Sequence, residues 1–449
     1  MTATSYHFIG IGGVGMSGLA RIALQKGYLV SGSDIRNSTL IEALLEEGAQ
    51  VFIGHDKSNL PENCQVVYST DISMDNPEMQ EAKKRNYPLL HRSVFLKKLM
   101  EGSFPLLVTG THGKTTTSSL LAHTLIFLKE DPSYSIGGIV QNLQTNGGSG
   151  KGKWFLAEAD ESDRSFLVYE AYGAILTNIG IDHLNYWHTE ENLLQGFFGF
   201  YQKVQNKKMV FWCADDKRLS SLSLEGTGYG FSCLADLKIE KVSYLGWKTV
   251  FTLKWNGLIY SDIELPLIGA HSVLNATAVF GLCLQMGLNE SDIREAFKCF
   301  LGVKRRVEKK GEVENIAVYD DYGHHPTEIS ATLQSIKIAS EGRRVIVAFQ
   351  PHRFTRTRDC FFDFAAALQK ADVVVITDVY SAGELPIESI DSQSLCNTFL
   401  EQKGSFYYAS RNDLVEKLLE VIKAGDVVVT MGAGDITQVG PHLLDRLAF

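Results

Sequence analysis

TGTHGKTTT, Thr109 to Thr117, follows the apolar stretch Pro105 to Val108 and opens a helix-forming stretch from Ser118 to Phe127. A glycine-rich turn between strand and helix aims backbone N–H groups and a helix N-terminus at an anion. Gly110, Thr111, His112, Gly113, Lys114, Thr115 and Thr116 make up this turn; Lys114 adds a mobile positive charge and Thr115 offers a hydroxyl to Mg²⁺. The stretch predicts a triphosphate cradle. Its spacing, Gly110-x-x-Gly113-Lys114-Thr115, is two residues shorter than the common P-loop pattern, with the mechanics intact.

Upstream of it, short apolar strands (His7 to Ile9, Leu29 to Ser31, Val51 to Ile53, Val66 to Tyr68) alternate with helical patterns at Ser17 to Gln25 and Thr39 to Glu47. That rhythm predicts βαβ units and a parallel sheet. Lys97 to Ser103 reads as a linker, after which Pro105 opens a new strand. Strands at Trp154 to Glu158 and Ala174 to Thr177 follow, then a β-rich stretch from Tyr229 to Leu265 and a helix at Ser272 to Met286. A basic, turn-rich segment, Gly302 to Gly311, precedes a third alternation with strands at Ile316 to Tyr319, Val345 to Phe349, Val373 to Thr377 and Val427 to Thr430. The reading is three α/β domains in series: residues 1–102, Rossmann-like; 103–310, P-loop ATPase-like; and 311–449, again Rossmann-like.

Composition narrows the function. A chain of 449 residues has room for about three domains, and 45% hydrophobic residues are ample for their cores. The net charge of -9 comes from both signs mixed along the chain, with no basic block to grip nucleic acid. Seven cysteines without a Cys-x-x-Cys pair suggest neither disulfides nor zinc, but buried thiols. No apolar run is long enough to span a bilayer and the N-terminus lacks a basic-then-apolar leader, so a cytoplasmic protein with no membrane partner is expected.

Further motifs sit where strands stop. Gly10-Ile11-Gly12-Gly13-Val14-Gly15 lets a backbone approach a pyrophosphate closely, and Asp34 ends the next strand, where a ribose contact belongs. The same turn serves a dinucleotide or the diphosphate of a UDP-sugar. EADESD (Glu158 to Asp163) and TNIGIDH (Thr177 to His183) close two strands whose C-terminal ends share an edge, placing Glu158 and His183 to ligate Mg²⁺ beside Thr115. Asp160, Glu161 and Asp163 read equally well as a solvated acidic face. DDYGHHP (Asp320 to Pro326) and QPHRFTRTR (Gln350 to Arg358) gather histidines and arginines suited to an anionic substrate, although Arg353, Arg356 and Arg358 also fit an exposed helix face.

Together these motifs, with LNA at Leu274 to Ala276, GVKRR at Gly302 to Arg306 and MGAGDI at Met431 to Ile436, resemble the Mur ligase family over nearly the whole chain. The branch most resembled joins L-alanine to the lactyl carboxylate of UDP-N-acetylmuramate, using ATP and Mg²⁺, in peptidoglycan precursor synthesis. The resemblance implies that Gly10, Gly12, Gly13, Gly15 and Asp34 serve the UDP-substrate, and that Lys114 and its neighbours hold ATP. It implies Thr115 and Glu158 at one Mg²⁺ and His183 at a second, Asn275 on adenine, Arg306 or Arg305 near the phosphates, and Asp321 or Asp320 on the nucleotide side. Tyr322, His324, His352, Arg353 and Arg356 then surround the nascent bond and the alanine carboxylate, with His324 or His352 accepting the amine proton. Two departures stand out: Ser272 where the family usually has Asn, and Val307 where it favours Phe. Glu190 to Tyr201 has no lysine, so the carbamylated lysine of some sister ligases is not expected. A sister branch recycles murein peptides, but Gly15-Met16-Ser17 and Tyr322-Gly323-His324-His325 depart from its pattern. An NAD-dependent oxidoreductase would leave the Thr109 to Thr117 loop unexplained.

Overall fold

The structure is a computed structural model that describes residues 4–181, 184–399 and 405–448. It contains three sheets. The first comprises β1 (Ser5–Ile9), β2 (Leu29–Asp34), β3 (Gln50–Ile53), β4 (Cys64–Tyr68) and β5 (Leu89–His91), in the order β3-β2-β1-β4-β5, all parallel. Chain order reverses between β1 and β4, so the turn after β1 opens at a topological switch point, where ligands of open α/β sheets bind.

The second sheet comprises β6 (Phe104–Thr109), β7 (Ser133–Val140), β8 (Thr145–Gly148), β9 (Trp154–Ala159), β10 (Gly173–Leu176), β11 (Val210–Cys213), β12 (Thr227–Gly230), β13 (Leu237–Leu245), β14 (Lys248–Trp255) and β15 (Leu258–Leu265). Its order is β15-β14-β13-β12-β11-β10-β6-β9-β7-β8. β6 lies parallel between β9 and β10, so the ends of the three strands carry Gly110, Asp160 and Thr177 to one edge. The third sheet comprises β16 (Glu308–Val313), β17 (Ile316–Asp321), β18 (Val345–Phe349), β19 (Val373–Ile376), β20 (Ser405–Tyr408) and β21 (Val427–Met431), ordered β16-β17-β21-β18-β19-β20. Only β16 pairs antiparallel. Its central strands read as unbroken apolar runs because helices cover both faces, and Val345, Ile346, Val347, Ala348 and Phe349 are all 0% exposed.

Met1–Lys241, Thr252–Ile263 and Leu274–Leu301 form one compact unit; Val242–Phe251, Glu264–Val273 and Gly302–Phe449 form a second. Within the first, the helix Val14–Gln25 packs on β8 so closely that a Cβ on Gly147 would lie 2.7 Å from the carbonyl oxygen of Gly18. Asn146 donates to Ser17 Oγ at 3.1 Å, and Arg21 donates from Nε to Glu47 at 2.6 Å and from Nη1 to Asn146 at 3.2 Å. The first sheet's glycine turn is thereby fastened to the second sheet.

Three expectations are corrected. Lys97 to Met100 belong to the helix Arg92–Met100, which buries Phe95, Leu96 and Leu99, so only the residues after it connect the sheets. Glu308 to Gly311 form strand β16 rather than a turn. Of the cysteines, Cys233 and Cys299 are exposed. Among the described residues, no helix is long and apolar enough to cross a membrane.

Candidate active site

The turn after β6 is built by hydrogen bonds that the sequence does not advertise. Thr111 N–H donates to Asn178 O at 3.1 Å and His112 N–H to Asn178 Oδ1 at 2.9 Å. Thr177 Oγ1 and Asn178 Nδ2 donate back to the His112 carbonyl at 2.7 and 2.9 Å. Gly110, at φ +135°, lies so close to β10's end that a Cβ would meet Thr177 Oγ1 at 2.1 Å. A side chain has no room there. Gly113, at φ +86°, precedes the helix Lys114–Phe127, and a Cβ on it would lie 2.9 Å from Oδ1 of Asn275, which places that amide beside the loop.

Lys114 Nζ donates to Gly110 O at 2.6 Å and to Glu161 Oε2 at 2.7 Å, with Asp160 Oδ1 at 3.8 Å. Burial works against its charge, but Glu161 and Asp160 outweigh burial and hold Lys114 above the ordinary lysine range. Thr115 Oγ1 donates to Glu158 Oε2 at 3.1 Å, while Ser118 Oγ and Gly137 N–H donate to Oε1 at 3.2 and 2.7 Å. Burial raises Glu158 above the usual carboxylate range. Of the residues expected at this loop, the structure brings Thr115 onto Glu158, while Lys114 turns to Glu161. Sequence reasoning gave Glu161 an even chance of being solvated, whereas the residue is 2% exposed and clamps Lys114. Asp160 and Asp163 pair with Arg92, at 3.3 and 3.5 Å. His183 lies outside the described residues.

Glu158 and Thr115 present hard oxygen donors on adjoining elements. Mg²⁺ suits them, since it binds through one or two protein oxygens and completes its octahedron with phosphate and water. Among the described residues no group of three His, Cys, Asp or Glu side chains forms a closed metal cage.

At the first glycine turn, Gly12 N–H donates to Asp34 Oδ2 at 2.9 Å, so Asp34 fixes the turn's shape. Gly10 takes φ +78° and Gly13 caps the helix Val14–Gln25, with Gly15 in its first turn. That helix's leading N–H groups lack intrahelical acceptors.

The second unit gathers the remaining candidates. Asp320, 0% exposed, accepts from Thr430 Oγ1 and Thr437 Oγ1 at 2.6 Å each; Asp321 accepts from Val307 N–H at 2.9 Å and Gly323 N–H at 2.8 Å. Both carboxylates take their hydrogen bonds from the chain itself. Arg305 donates to the Gly432 and Gly434 carbonyls at 2.5 and 3.0 Å, whereas Arg306 approaches Glu328 at 3.9 Å. Both guanidiniums stand over the Tyr322 ring, at 4.9 and 5.2 Å. Ser272 Oγ donates to the carbonyl of Ile268, just ahead of the helix Ala270–Gln285, at 2.8 Å.

His324 and His352 have ring centroids 6.0 Å apart, and His352 stacks on Tyr380, which the sequence did not single out. His324 Nδ1 lies 3.1 Å from the Tyr322 carbonyl and 3.5 Å from Glu328 Oε2, both acceptors, which assigns the proton to Nδ1 and leaves a lone pair on Nε2. His352 Nδ1 instead accepts from Arg356 Nη1 at 3.2 Å, so its proton is on Nε2. Burial first, then nearby positive charge, lowers both imidazoles to about 4, leaving them neutral at pH 7. Arg353 is exposed at φ +70°, its N–H donating to Tyr380 O at 2.8 Å, and Arg358 pairs with Asp359 on the surface. Of the three arginines, Arg356 joins the histidines.

Three family models cover most of the chain: the Mur ligase family catalytic domain matches residues 5–104, the Mur ligase middle domain residues 108–283, and the Mur ligase glutamate ligase domain residues 305–434. The chain is 47% identical over 444 residues to a UDP-N-acetylmuramate–L-alanine ligase of Protochlamydia amoebophila, covering 98% of each. It is 44% identical to the bifunctional enzyme MurC/Ddl of Chlamydia pneumoniae, covering 98% of this chain and 54% of that protein. Among solved structures, the UDP-N-acetylmuramate-alanine ligase MurC of Thermotoga maritima superposes with TM-score 0.86 at 30% identity over 99% of both chains. A murein peptide ligase from Psychrobacter arcticus shares the fold, with TM-score 0.73 at 23% identity. The chain belongs to the Mur ligase family.

Proposed function

We propose that this chain joins L-alanine to the lactyl carboxylate of UDP-N-acetylmuramate, converting ATP to ADP and phosphate. Full-length relatives at 40–47% identity carry that activity in their names. The observation that carries the reading is the gathering of Lys114 on Glu161 and of Thr115 on Glu158 along the edge formed by β6 and β9. In this reading residues 1–102 hold the UDP part through Gly10, Gly12, Gly13, Gly15 and Asp34, residues 103–310 hold ATP, and residues 311–449 hold the amino acid.

A carboxylate is a poor acyl donor because its leaving group is an oxide, so it must first be phosphorylated. The lactyl carboxylate attacks the γ-phosphorus of ATP, giving ADP and an acyl phosphate. Lys114 stabilises the charge that develops on the transferring group. Mg²⁺, which Thr115 and Glu158 would hold, supplies further charge neutralisation across the phosphates. Arg356 and Arg353 suit the alanine carboxylate. His324, with its lone pair on Nε2, accepts the proton of the attacking amine, while His352, with N–H on Nε2, donates to developing charge. Collapse of the tetrahedral intermediate expels phosphate.

The test is phosphate release from ATP with UDP-N-acetylmuramate, comparing L-alanine, L-serine, glycine and an Ala-Glu-diaminopimelate tripeptide. L-Alanine should give the highest kcat/KM. Preference for the tripeptide would instead make the chain a recycling ligase.

A further inference from the structure

The motif Met431 to Ile436 has no part in the chemistry above, and neither has Tyr380, yet the two meet beside the amino-acid candidates. Glycine at position 434 makes the meeting possible: a Cβ there would lie 2.6 Å from Tyr380 Cγ and 2.4 Å from Gln350 Oε1. Gln350 cannot yield, because it is 2% exposed, donates to Asp435 Oδ1 at 2.7 Å and accepts from Ile436 N–H at 3.1 Å. Only a bare backbone leaves room for the root of the Tyr380 ring.

Tyr380 reaches His352 through a slip in strand register. Phe349 on β18 faces Ile376 on β19, an offset of 27 residues, whereas beyond the strands His352 faces Tyr380, an offset of 28. Tyr380 N–H donates to Pro351 O at 2.9 Å and Arg353 N–H donates to Tyr380 O at 2.8 Å, which locks the slipped pair. Residues opposed across a ladder project to the same face, and here the two rings stack with centroids 5.6 Å apart and planes 9° from parallel. At strict register Val379 would stand there, and the stack would be lost.

A ring covered on one face has little freedom to turn, and that bears on what His352 holds. Its Nδ1 accepts from Arg356 Nη1 at 3.2 Å, and among the described residues no carboxylate pairs with Arg356. A carboxylate would cancel the guanidinium charge. Burial keeps the His352 imidazole neutral at pH 7, so it takes one N–H of Arg356 and leaves the full charge and the other donors for an anion. Held in advance, Arg356 loses little freedom when that anion arrives.

We propose that Tyr380 is a positioning residue for the carboxylate of the incoming amino acid: its ring fixes the plane of His352, and His352 aims Arg356 at that carboxylate. This role rests on the reading of residues 311–449 as the amino-acid domain.

The experiment offers the full chain L-alanine or L-alaninamide, whose carboxylate is replaced by a neutral amide, with ATP and UDP-N-acetylmuramate, and reads kcat/KM for each amine. The native chain should favour L-alanine by about 100-fold or more, since the amide forfeits the charged pair with arginine. Tyr380→Leu should lower that preference about tenfold through a raised KM for L-alanine, with kcat/KM for L-alaninamide and the KM for ATP unchanged. Tyr380→Phe, which keeps the ring, should behave as the native chain does. A native chain that ligates neither amine would overturn the proposed function, and one that ligates both equally would overturn the carboxylate reading of Arg356; either takes the role of Tyr380 with it. A native preference that survives Tyr380→Leu would overturn the positioning role alone. Loss of the preference in Tyr380→Phe would also overturn it, because the hydroxyl rather than the stack would then be at work. An equal loss on both amines in Tyr380→Leu would mark a general structural role and overturn it as well.

Discussion

Lys114 Nζ donates to Glu161 Oε2 at 2.7 Å, and that carboxylate is 2% exposed. The lysine intended for a phosphate is therefore also the counter-charge of a buried acid. Removing it has two separable consequences. Lys114→Ala should lower kcat by about 100-fold or more, as expected for a group that stabilises transition-state charge. It should also destabilise the chain by ~3 kcal/mol, because Glu161 is left buried without a partner. Steady-state kinetics and denaturant unfolding read the two effects. Lys114→Ala combined with Glu161→Gln should regain stability but not activity; near-native activity in either variant would contradict the role given to Lys114.

Glu158 receives Thr115, Ser118 and Gly137 on its two oxygens. Glu158→Gln keeps the shape but loses the charge that attracts a divalent cation. The Mg²⁺ concentration giving half-maximal activity should rise about tenfold or more. An unchanged Mg²⁺ titration would remove Glu158 from the metal site.

Gly110 and Gly27 both have positive φ, yet only Gly110 faces a wall, with Thr177 Oγ1 at 2.1 Å from a built Cβ and nothing within 4 Å at Gly27. Gly110→Ala should raise the KM for ATP and lower Tm, since β10 must move. Gly27→Ala should cost only about 1 kcal/mol of backbone strain and leave the kinetics unchanged. Equal effects in the two variants would mean that the contact between Gly110 and Thr177 is unimportant.

His324 and His352 are lowered to about 4 in the folded chain, against an ordinary imidazole near 6.5. Between those values the unfolded chain binds protons that the folded chain does not, so stability rises with pH across this window. Their contribution is complete above pH 6.5 and is lost as pH falls to about 4. Tm measured over that range should therefore fall less steeply on acidification in the His324→Gln, His352→Gln double variant than in the native chain. Identical slopes would show that neither histidine is held neutral.

What was legible in the sequence was local. Thr109 to Thr117 carries strand, turn and helix in one stretch, so the cradle and Lys114 could be read directly, and Glu158 followed because it closes a strand. Glu161 was not, because an acidic run looks the same whether solvated or folded back onto a lysine 47 residues away. Thr177 and Asn178 were noted only as a strand end; their grip on His112 depends on β10 lying beside β6. Arg92 carries no motif, and its pairing with Asp160 and Asp163 exists only once two sheets have packed. The tautomers of His324 and His352, likewise, follow from a carbonyl and a guanidinium that spacing cannot place.

The central claim is that the carboxylate is activated as an acyl phosphate at the far end of ATP, and one oxygen reports on it. UDP-N-acetylmuramate carrying ¹⁸O in its lactyl carboxylate is turned over with ATP and L-alanine, and the released phosphate is weighed by mass spectrometry. Attack on the γ-phosphorus makes a carboxylate oxygen the bridge to phosphorus, and amide formation leaves that oxygen with the phosphate. One ¹⁸O per released phosphate is the expected result. Label recovered in AMP, or phosphate released without it, would contradict the mechanism and the roles given to Lys114, Thr115 and Glu158.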